Sequence, residues 1–179
     1  MNNEKMINRK KKQVLFIDLD DTLIKTVSGA TFPIDAADFK IRAEVLDKIA
    51  YLFPNLYYVE IVSNQGGIPR YVDEKDFQAK LKAIESFVQA YLRNHTLRNI
   101  FCNSMYCSSQ MDDEFRKPNT GMLTSYSAWD KDKLLMIGDA SGKEGDFSDS
   151  DLKCAKNFGI DYIDVRDFLE MELSAWSLS

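Results

Sequence analysis

The stretch QVLFIDLDDT, residues 13–22, joins an apolar run directly to a group of acidic residues. Its first half, residues 13–17, is flanked by charge on both sides, and a short run of this kind is typical of a β-strand buried on both faces. Asp18 and Asp20 follow immediately. Side chains two positions apart in an extended chain point the same way, so the stretch predicts a buried strand whose carboxyl end presents two carboxylates together.

Strand-like and helix-like segments alternate along the rest of the chain. Further strands are predicted at 56–62, 100–106, 134–137 and 161–163, and helices at 42–53, 73–94, 119–129 and 148–158. Such alternation implies right-handed crossovers between parallel strands. We therefore expect an α/β fold, a three-layer sandwich with a mainly parallel, Rossmann-like sheet.

The length and composition fit one folded domain, since the chain has 179 residues, of which 45% are hydrophobic and 28% charged. We expect a basic, poorly ordered leader over residues 1–12 and a single domain over residues 13–179. The start is polar and no apolar run approaches the roughly 18 residues of a membrane span, so we expect a cytoplasmic protein without a membrane partner. Cys102, Cys107 and Cys154 lack paired spacing and are expected to be buried free thiols.

The formal net charge is −5. An acidic chain is poorly suited to coating long duplex DNA, because such binding gains most of its affinity by neutralising many phosphates. This balance does not exclude contact with a single nucleic-acid end. The basic residues 9–12 could touch a nucleic-acid backbone, or they could simply be solvated.

Polar side chains follow several of the predicted strands. Ser63 ends the second strand, and Asp139 follows a later one. In an open parallel sheet the ligand crevice lies beyond the carboxyl ends of the strands, so these residues are expected to meet Asp18 and Asp20 there. A few carboxylates with open positions left for water and a phosphate oxygen suit Mg²⁺. The alternative role of any single strand-end aspartate is to cap a helix.

Four motifs in order resemble those of the haloacid dehalogenase superfamily of aspartyl-phosphate phosphatases. Residues 18–23, DLDDTL, look like the first motif, DxDx(T/V). Ser63 matches the second motif, Lys117 the third, and the pair Gly138-Asp139 the fourth. The resemblance implies that Asp18 attacks the substrate phosphorus.

The same resemblance implies the other roles at the site. Asp20 would be the general acid and base, while Ser63 and Lys117 would hold the phosphoryl oxygens. Mg²⁺ would be bound by the carboxylates of Asp18 and Asp139 and by the backbone carbonyl of Asp20.

A narrower resemblance covers nearly the whole chain. The segments GATFP (29–33), SNQGGI (63–68), RKPNTGM (116–122) and DFS (146–148), with Asp151 after them, are similar to the 3′-phosphatase domain of polynucleotide kinase 3′-phosphatases. This implies a substrate that is a 3′-phosphorylated polynucleotide end, most often DNA. It also places Thr22, Asn64, Gln65 and Arg70 at the substrate.

Two departures from that family are visible. Asp21 stands where the family more often has glycine, and residues 141–145, SGKEG, stand where animal members carry a run of lysines. Fewer cations beside the site weaken nucleic-acid binding. The aromatic residues Phe32, Tyr71 and Phe147 could instead stack on an end nucleotide, although Phe147 is the one we expect in the core.

The sequence also bears on other functions, namely a small-metabolite phosphatase and a non-catalytic phosphate-binding module. The intervals between the motifs leave no room for a cap domain or a kinase domain, and an open crevice admits the end of a polymer. A capless phosphatase of a small metabolite, such as a sugar phosphate, histidinol phosphate or nucleotide, is the alternative. Such relatives typically carry a zinc loop before the third motif, where this chain offers only His95, Cys102 and Cys107. A non-catalytic phosphate-binding module is disfavoured because all four motifs keep their reactive side chains.

Overall fold

The computed structural model describes residues 7–30, 33–35 and 37–172. Residues 1–6 of the expected leader and the aromatic candidate Phe32 lie outside the described residues. Within the described residues the strands are β1 (Val14–Ile17), β2 (Ile24–Lys25), β3 (Lys40–Ile41), β4 (Tyr58–Asn64), β5 (Phe101–Cys107), β6 (Leu134–Gly138) and β7 (Asp161–Asp164). The α-helices are α1 (Ala43–Leu52), α2 (Glu74–Thr96), α3 (Ser150–Phe158) and α4 (Val165–Glu170), with 3₁₀ turns at Arg9–Lys11, Gly121–Tyr126 and Lys131–Lys133.

Five strands form one parallel sheet in the order β5-β4-β1-β6-β7, which confirms the expected α/β class. The chain builds outward from β1 to β4 and β5, then returns to the other side of β1 for β6 and β7. Strand order therefore reverses around β1, and a crevice opens beyond the carboxyl ends of β1, β4 and β6. The short strands β2 and β3 form a separate antiparallel pair just after β1.

The sheet separates two apolar cores. Leu15 and Ile17 of β1 face the larger core with α1, α2 and α4, whereas Val14 and Phe16 face a smaller one with α3 and the 3₁₀ turn Gly121–Tyr126. Successive side chains of a strand point to opposite faces, so an uninterrupted apolar run is what a strand covered on both sides requires.

One predicted helix is wrong. Residues 119–129 form only the 3₁₀ turn Gly121–Tyr126. Gly121 packs so closely on the preceding chain that a side-chain Cβ there would lie 2.5 Å from the Glu114 carbonyl oxygen. Its own amide donates to that same carbonyl, so tertiary packing overrides the apolar spacing from which the helix was predicted. The sequence pattern also missed α4 and the β2–β3 pair, which are short.

The end of the basic leader is packed against the domain rather than solvated. Lys12 is 2% exposed. Its ammonium donates to the Leu134 carbonyl at 2.8 Å and pairs with Asp161 at 2.6 Å. A buried ammonium needs such partners, and these anchor the chain at the start of β1 to β6 and β7.

The three cysteines are free and buried, as expected. Burial raises the pKa of the Cys154 thiol to about 11 and also raises the pKa of Cys102. In the part of the chain that the structure describes, no helix combines the length and apolar character needed to cross a membrane.

Candidate active site

The crevice beyond the sheet brings together residues from four separate segments. Asp18 directly follows β1, Ser63 lies near the end of β4, and Asp139 follows β6. Lys117 arrives from the long connection after β5, and its ammonium lies 2.6 Å from Asp18 Oδ1. Lys117 of the third motif therefore meets Asp18 of the first motif, although 99 positions separate them in the sequence.

Lys117 is almost completely buried, and its ammonium has three oxygen neighbours. Besides Asp18, the ammonium contacts Asp151 Oδ1 at 2.7 Å and donates to the Val62 carbonyl at 2.8 Å. Burial alone would lower the pKa of Lys117, but the carboxylates of Asp151 and Asp18 outweigh that effect and raise it. The ammonium is therefore a fixed positive charge at neutral pH.

Asn64 holds the backbone of Lys117 rather than facing open solvent. Its side-chain Nδ2 donates to the Lys117 carbonyl and its Oδ1 accepts from the Lys117 amide, each at 2.9 Å. These two hydrogen bonds fix the Lys117 segment to the end of β4. A contact of Asn64 with substrate stays a prediction.

Asp151 was not assigned to the site by sequence reasoning. It lies in the first turn of α3, is 1% exposed, and accepts from the Ala140 amide at 3.2 Å. A Cβ at Gly138 would lie 2.2 Å from its Oδ2, so the carboxylate occupies the space that any other residue at position 138 would take. The signal in the sequence was the narrower family resemblance, which includes Asp151 but gave it no role.

Asp18, Asp139 and Asp151 form a compact acidic cluster. Each offers a carboxylate oxygen within 4.8 Å of the others. Burial raises the pKa of Asp18 well above its ordinary value, although Lys117 opposes this. Burial, together with the neighbouring Asp151 carboxylate, raises the pKa of Asp139 to about 6. Three carboxylates facing one ammonium leave an excess of two negative charges when ionised, which is the charge and the oxygen donor set that a divalent cation such as Mg²⁺ suits.

Asp20 is linked to Ser63 through Gln65. The Gln65 amide nitrogen donates to Asp20 Oδ2 at 2.6 Å and to the Ser63 hydroxyl at 2.8 Å. Ser63 is 1% exposed, whereas Asp20 and Gln65 are partly exposed at the crevice. The Gln65 side chain thus holds Asp20 of the first motif and Ser63 of the second motif together.

Thr22 and Arg70, both expected at the substrate, lie in different surroundings. Thr22 is fully buried, and its hydroxyl points to Asp139 Oδ1 at 3.4 Å, so it contacts the acidic cluster rather than the open crevice. Arg70 is exposed, and its guanidinium lies over the Tyr71 ring, 5.1 Å from the centroid. A contact of Arg70 with substrate stays a prediction.

The backbone after Asp20 adopts a special conformation. Asp21 has φ of 55°, in the left-handed region that glycine enters most easily. Arg42, which is buried, donates to the Asp21 carbonyl at 2.8 Å and fixes this turn. A glycine would adopt this turn without the cost of a Cβ.

A second ionic cluster lies on the loop that follows Asp139. Arg166 pairs with Asp146 at 2.9 Å and with Asp164 at 2.5 Å, and the Ser141 hydroxyl oxygen lies 3.0 Å from Asp146 Oδ2 and 2.6 Å from Asp164 Oδ2. Against the effect of burial, the bonds from Arg166 and Ser141 lower the pKa of Asp146 to about 2 and also lower that of Asp164. Both carboxylates of this cluster therefore have the Arg166 guanidinium and the Ser141 hydroxyl as partners.

The fold is shared with a known sugar phosphatase. D,D-heptose 1,7-bisphosphate phosphatase from B. bronchiseptica, solved with magnesium and phosphate, superposes with a TM-score of 0.59 at 21% identity, covering 84% of this chain and 78% of that one. At this identity the likeness shows the fold alone. The fold is that of haloacid dehalogenase-type phosphatases, as the four motifs predict.

The family follows from sequence comparison. Residues 13–168 match the family described as polynucleotide kinase 3 phosphatase. The chain is also 35% identical, over 89% of its length, to the bifunctional polynucleotide phosphatase/kinase of Schizosaccharomyces pombe, and 25% identical, over 87%, to polynucleotide 3′-phosphatase ZDP of Arabidopsis thaliana. It spans only 38% and 26% of the lengths of those two relatives. The chain belongs to the polynucleotide kinase 3 phosphatase family, which confirms the narrower resemblance.

Proposed function

We propose that this protein removes the phosphate from the 3′ end of a polynucleotide, most often DNA, through a covalent intermediate on Asp18. The observation that carries the proposal is the buried contact of Asp18 with Lys117, 2.6 Å, inside a cluster completed by Asp139 and Asp151. Family membership and the activity for which the relatives are named support the substrate class.

The first half-reaction transfers the phosphoryl group to Asp18. Lys117 bonds to Oδ1 of Asp18, which leaves Oδ2 as the oxygen that attacks phosphorus. As the new O–P bond forms, the bond to the 3′ oxygen breaks, and protonated Asp20 gives its proton to that oxygen. The products are a free 3′-hydroxyl and an aspartyl phosphate.

The second half-reaction restores the enzyme. Asp20, now a carboxylate held by Gln65, takes a proton from a water molecule, and the oxygen of that water attacks the phosphorus. The bond between phosphorus and Asp18 breaks, releasing inorganic phosphate. Ser63 and Lys117 supply the hydroxyl and the positive charge that stabilise the phosphoryl oxygens in both steps.

A divalent cation belongs to this proposal. Asp18, Asp139 and Asp151 would hold Mg²⁺, with the Asp20 backbone carbonyl as a further ligand, and the bound ion would offset the charge that develops on the phosphoryl oxygens. Thr22 orients Asp139, and Asn64 orients Lys117. These two residues therefore act behind the residues that meet the substrate.

The substrate reaches the site as the end of a chain. We propose that residues 13–179 act as one domain without a cap, because the described chain between Ser63 and Lys117 contains α2, β5 and connecting loops. A crevice without a lid admits a polymer that continues past its terminal nucleotide. The buried free thiols support a reducing compartment, and so a cytoplasmic location.

A substrate panel tests the proposal. Release of inorganic phosphate is measured from a 3′-phosphorylated oligodeoxynucleotide, its 3′-phosphorylated ribonucleotide counterpart, ribose 5-phosphate and a nucleoside monophosphate, each with Mg²⁺ and with EDTA. We expect the highest kcat/KM for the 3′-phosphorylated oligodeoxynucleotide, with activity lost in EDTA. Equal or better turnover of the sugar phosphate would favour the small-metabolite alternative.

A further inference from the structure

The loop between β6 and α3, residues 139–149, is held in place by its own hydrogen bonds. Asp146 accepts from the amides of Ser141 and Lys143, at 3.1 and 2.9 Å, and pairs with Arg166. On the other side, the Ser148 carbonyl accepts from the Gly142 amide at 3.2 Å. The loop is therefore anchored immediately before and immediately after residue 147.

Phe147 lies between these two anchors, yet its ring is 98% exposed. The expectation that Phe147 belongs to the core is wrong. Many single apolar residues are exposed on protein surfaces without consequence. Here, however, the loop backbone is anchored on both sides of the residue. The Phe147 ring is therefore held in solvent, where a ligand can contact it.

The loop that carries the ring is also tied to the acidic cluster. One guanidinium nitrogen of Arg166 reaches the Asp139 carbonyl at 3.5 Å and Asp146 Oδ2 at 3.1 Å. Arg166 therefore bridges Asp146, the residue before Phe147, to the backbone of a cluster residue. A substrate bound at the cluster would have this loop beside it.

The cations of this region are already engaged. Lys143 pairs with Asp167 at 2.6 Å, and Arg166 pairs with Asp146 and Asp164. They are therefore not available to draw in a phosphate backbone, and the chain as a whole carries a charge of −5. Stacking of bases on aromatic rings is an interaction that adds affinity for a polynucleotide and needs no net charge.

We propose that the Phe147 ring is a stacking surface for a nucleobase near the 3′ end of the substrate, and that it sets the preference for polynucleotides over small phosphate esters. The inference rests on the proposed function and adds the residue that recognises the polymer.

The test is a cycle that removes the ring, the base, or both. KM and kcat are measured for wild type and Phe147→Ala on a 3′-phosphorylated single-stranded oligonucleotide, and on the same oligonucleotide with abasic sites at its last positions. Phe147→Ala should raise KM on the normal end about tenfold with little change in kcat. On the abasic end the same substitution should change KM less than about twofold.

Three further variants and conditions sharpen the result. Phe147→Trp should keep a low KM and Phe147→Leu should not, since leucine is apolar but cannot stack. Phe87→Ala, which removes a half-exposed ring from the outer face of α2, should behave as wild type. Between about 50 and 200 mM salt, the KM of the wild type should change by much less than the 10³-fold or more that several phosphate contacts would produce.

Each contrary result has a distinct meaning. An equal rise in KM on normal and abasic ends would overturn the stacking role, because the ring would then act through the loop structure. A steep salt dependence with unchanged KM in Phe147→Ala would replace stacking with charge as the source of affinity. Failure of wild type on every oligonucleotide, with turnover of a small phosphate ester, would remove the proposed substrate class itself.

Discussion

Two groups of aspartates lie within one loop of each other, and their pKa values move in opposite directions. In the inner cluster of Asp18, Asp139 and Asp151, burial raises the pKa of Asp18, and it raises that of Asp139 to about 6. In the outer cluster around Arg166, the pKa of Asp146 falls to about 2. The residue type is the same, and the difference lies in burial and in the hydrogen-bond partners of each carboxylate.

We interpret the outer cluster as a structural ion cluster and the inner cluster as a site that binds a ligand. The outer carboxylates have guanidinium and hydroxyl partners, so their charge is compensated within the protein. The inner carboxylates share one ammonium, so their charge is compensated only when a cation is added. Perturbed carboxylates around a cleft are a mark of function when the perturbation arises from missing partners rather than from paired ones.

The largest effect should come from the inner nucleophile. Asp18→Asn should lower kcat/KM for a 3′-phosphorylated oligonucleotide about 10⁴-fold or more, because an amide oxygen cannot form the covalent intermediate. Phosphate release under saturating Mg²⁺ measures it. Asp149→Asn, which alters a surface ion pair with Lys153, is the matched control and should keep full activity. Substantial turnover by Asp18→Asn would exclude the aspartyl-phosphate mechanism.

Removal of the one inner cation should have the next largest effect. Lys117→Ala leaves two buried carboxylates without their partner, and the free energy of unfolding should fall by about 3–5 kcal/mol. Urea denaturation in EDTA measures the change. Lys153→Ala breaks an exposed pair and should cost under about 1 kcal/mol. A loss for Lys117→Ala as small as that control would mean that the inner carboxylates are not charged.

Addition of a divalent cation should stabilise the inner cluster. Mg²⁺ at about 100 times its dissociation constant should raise the free energy of unfolding by about 2.7 kcal/mol, through preferential binding to the folded state. Thermal unfolding with Mg²⁺ and with EDTA tests this in wild type and in Asp139→Asn. The shift should be much smaller in the variant. An equal shift in both proteins would place the ion elsewhere.

The outer cluster should respond to acid in the opposite sense from a buried protonated site. Because the pKa of Asp146 is lowered to about 2, its ionised form stabilises the fold above the ordinary aspartate value of about 4, and this stability is lost as pH falls through 2. Arg166→Ala should cost about 1 kcal/mol at pH 7, since Arg166 is half exposed. Urea unfolding at pH 7 and pH 3 should show a smaller difference from wild type at pH 3. A difference that grows toward acid would reverse the assigned sign.

The smallest effect concerns the turn that leads away from the inner cluster. Asp21→Gly should raise the free energy of unfolding by about 0.5 kcal/mol, because glycine avoids the cost of a positive φ but gains freedom in the unfolded chain. Asp21→Ala, which keeps a Cβ in the same conformation, should give no such gain. The urea midpoints of the two variants decide between relief of the backbone and removal of the charge.

The parallel sheet and the meeting of the four motifs were predictable from the sequence. Apolar runs covered on both faces identify the central strands, and their carboxyl ends must share one edge of a parallel sheet. Asp18, Ser63 and Asp139 are therefore placed by strand position alone. Lys117 needed the resemblance, because a lysine in a loop carries no local signal of burial.

The remaining features depend on tertiary contacts that spacing does not reveal. Asp151 reaches Lys117 because the first turn of α3 packs onto Gly138, and the sequence shows only an aspartate near a helix start. Asn64 and Thr22 look like substrate contacts in the motif, but backbone geometry directs them to Lys117 and Asp139. Phe147 was misplaced because an aromatic residue near a helix is more often buried.

Lys12 defines where this domain can be shortened from its N-terminal side. Its ammonium joins the chain to the Leu134 carbonyl and to Asp161, on β6, which pairs with β1, and on β7, the strand next to β6. A deletion that stops at residue 11 preserves this attachment, whereas one more residue removed leaves a carboxylate and a carbonyl without their shared donor. Fusion partners and affinity tags are thus best joined upstream of Lys12.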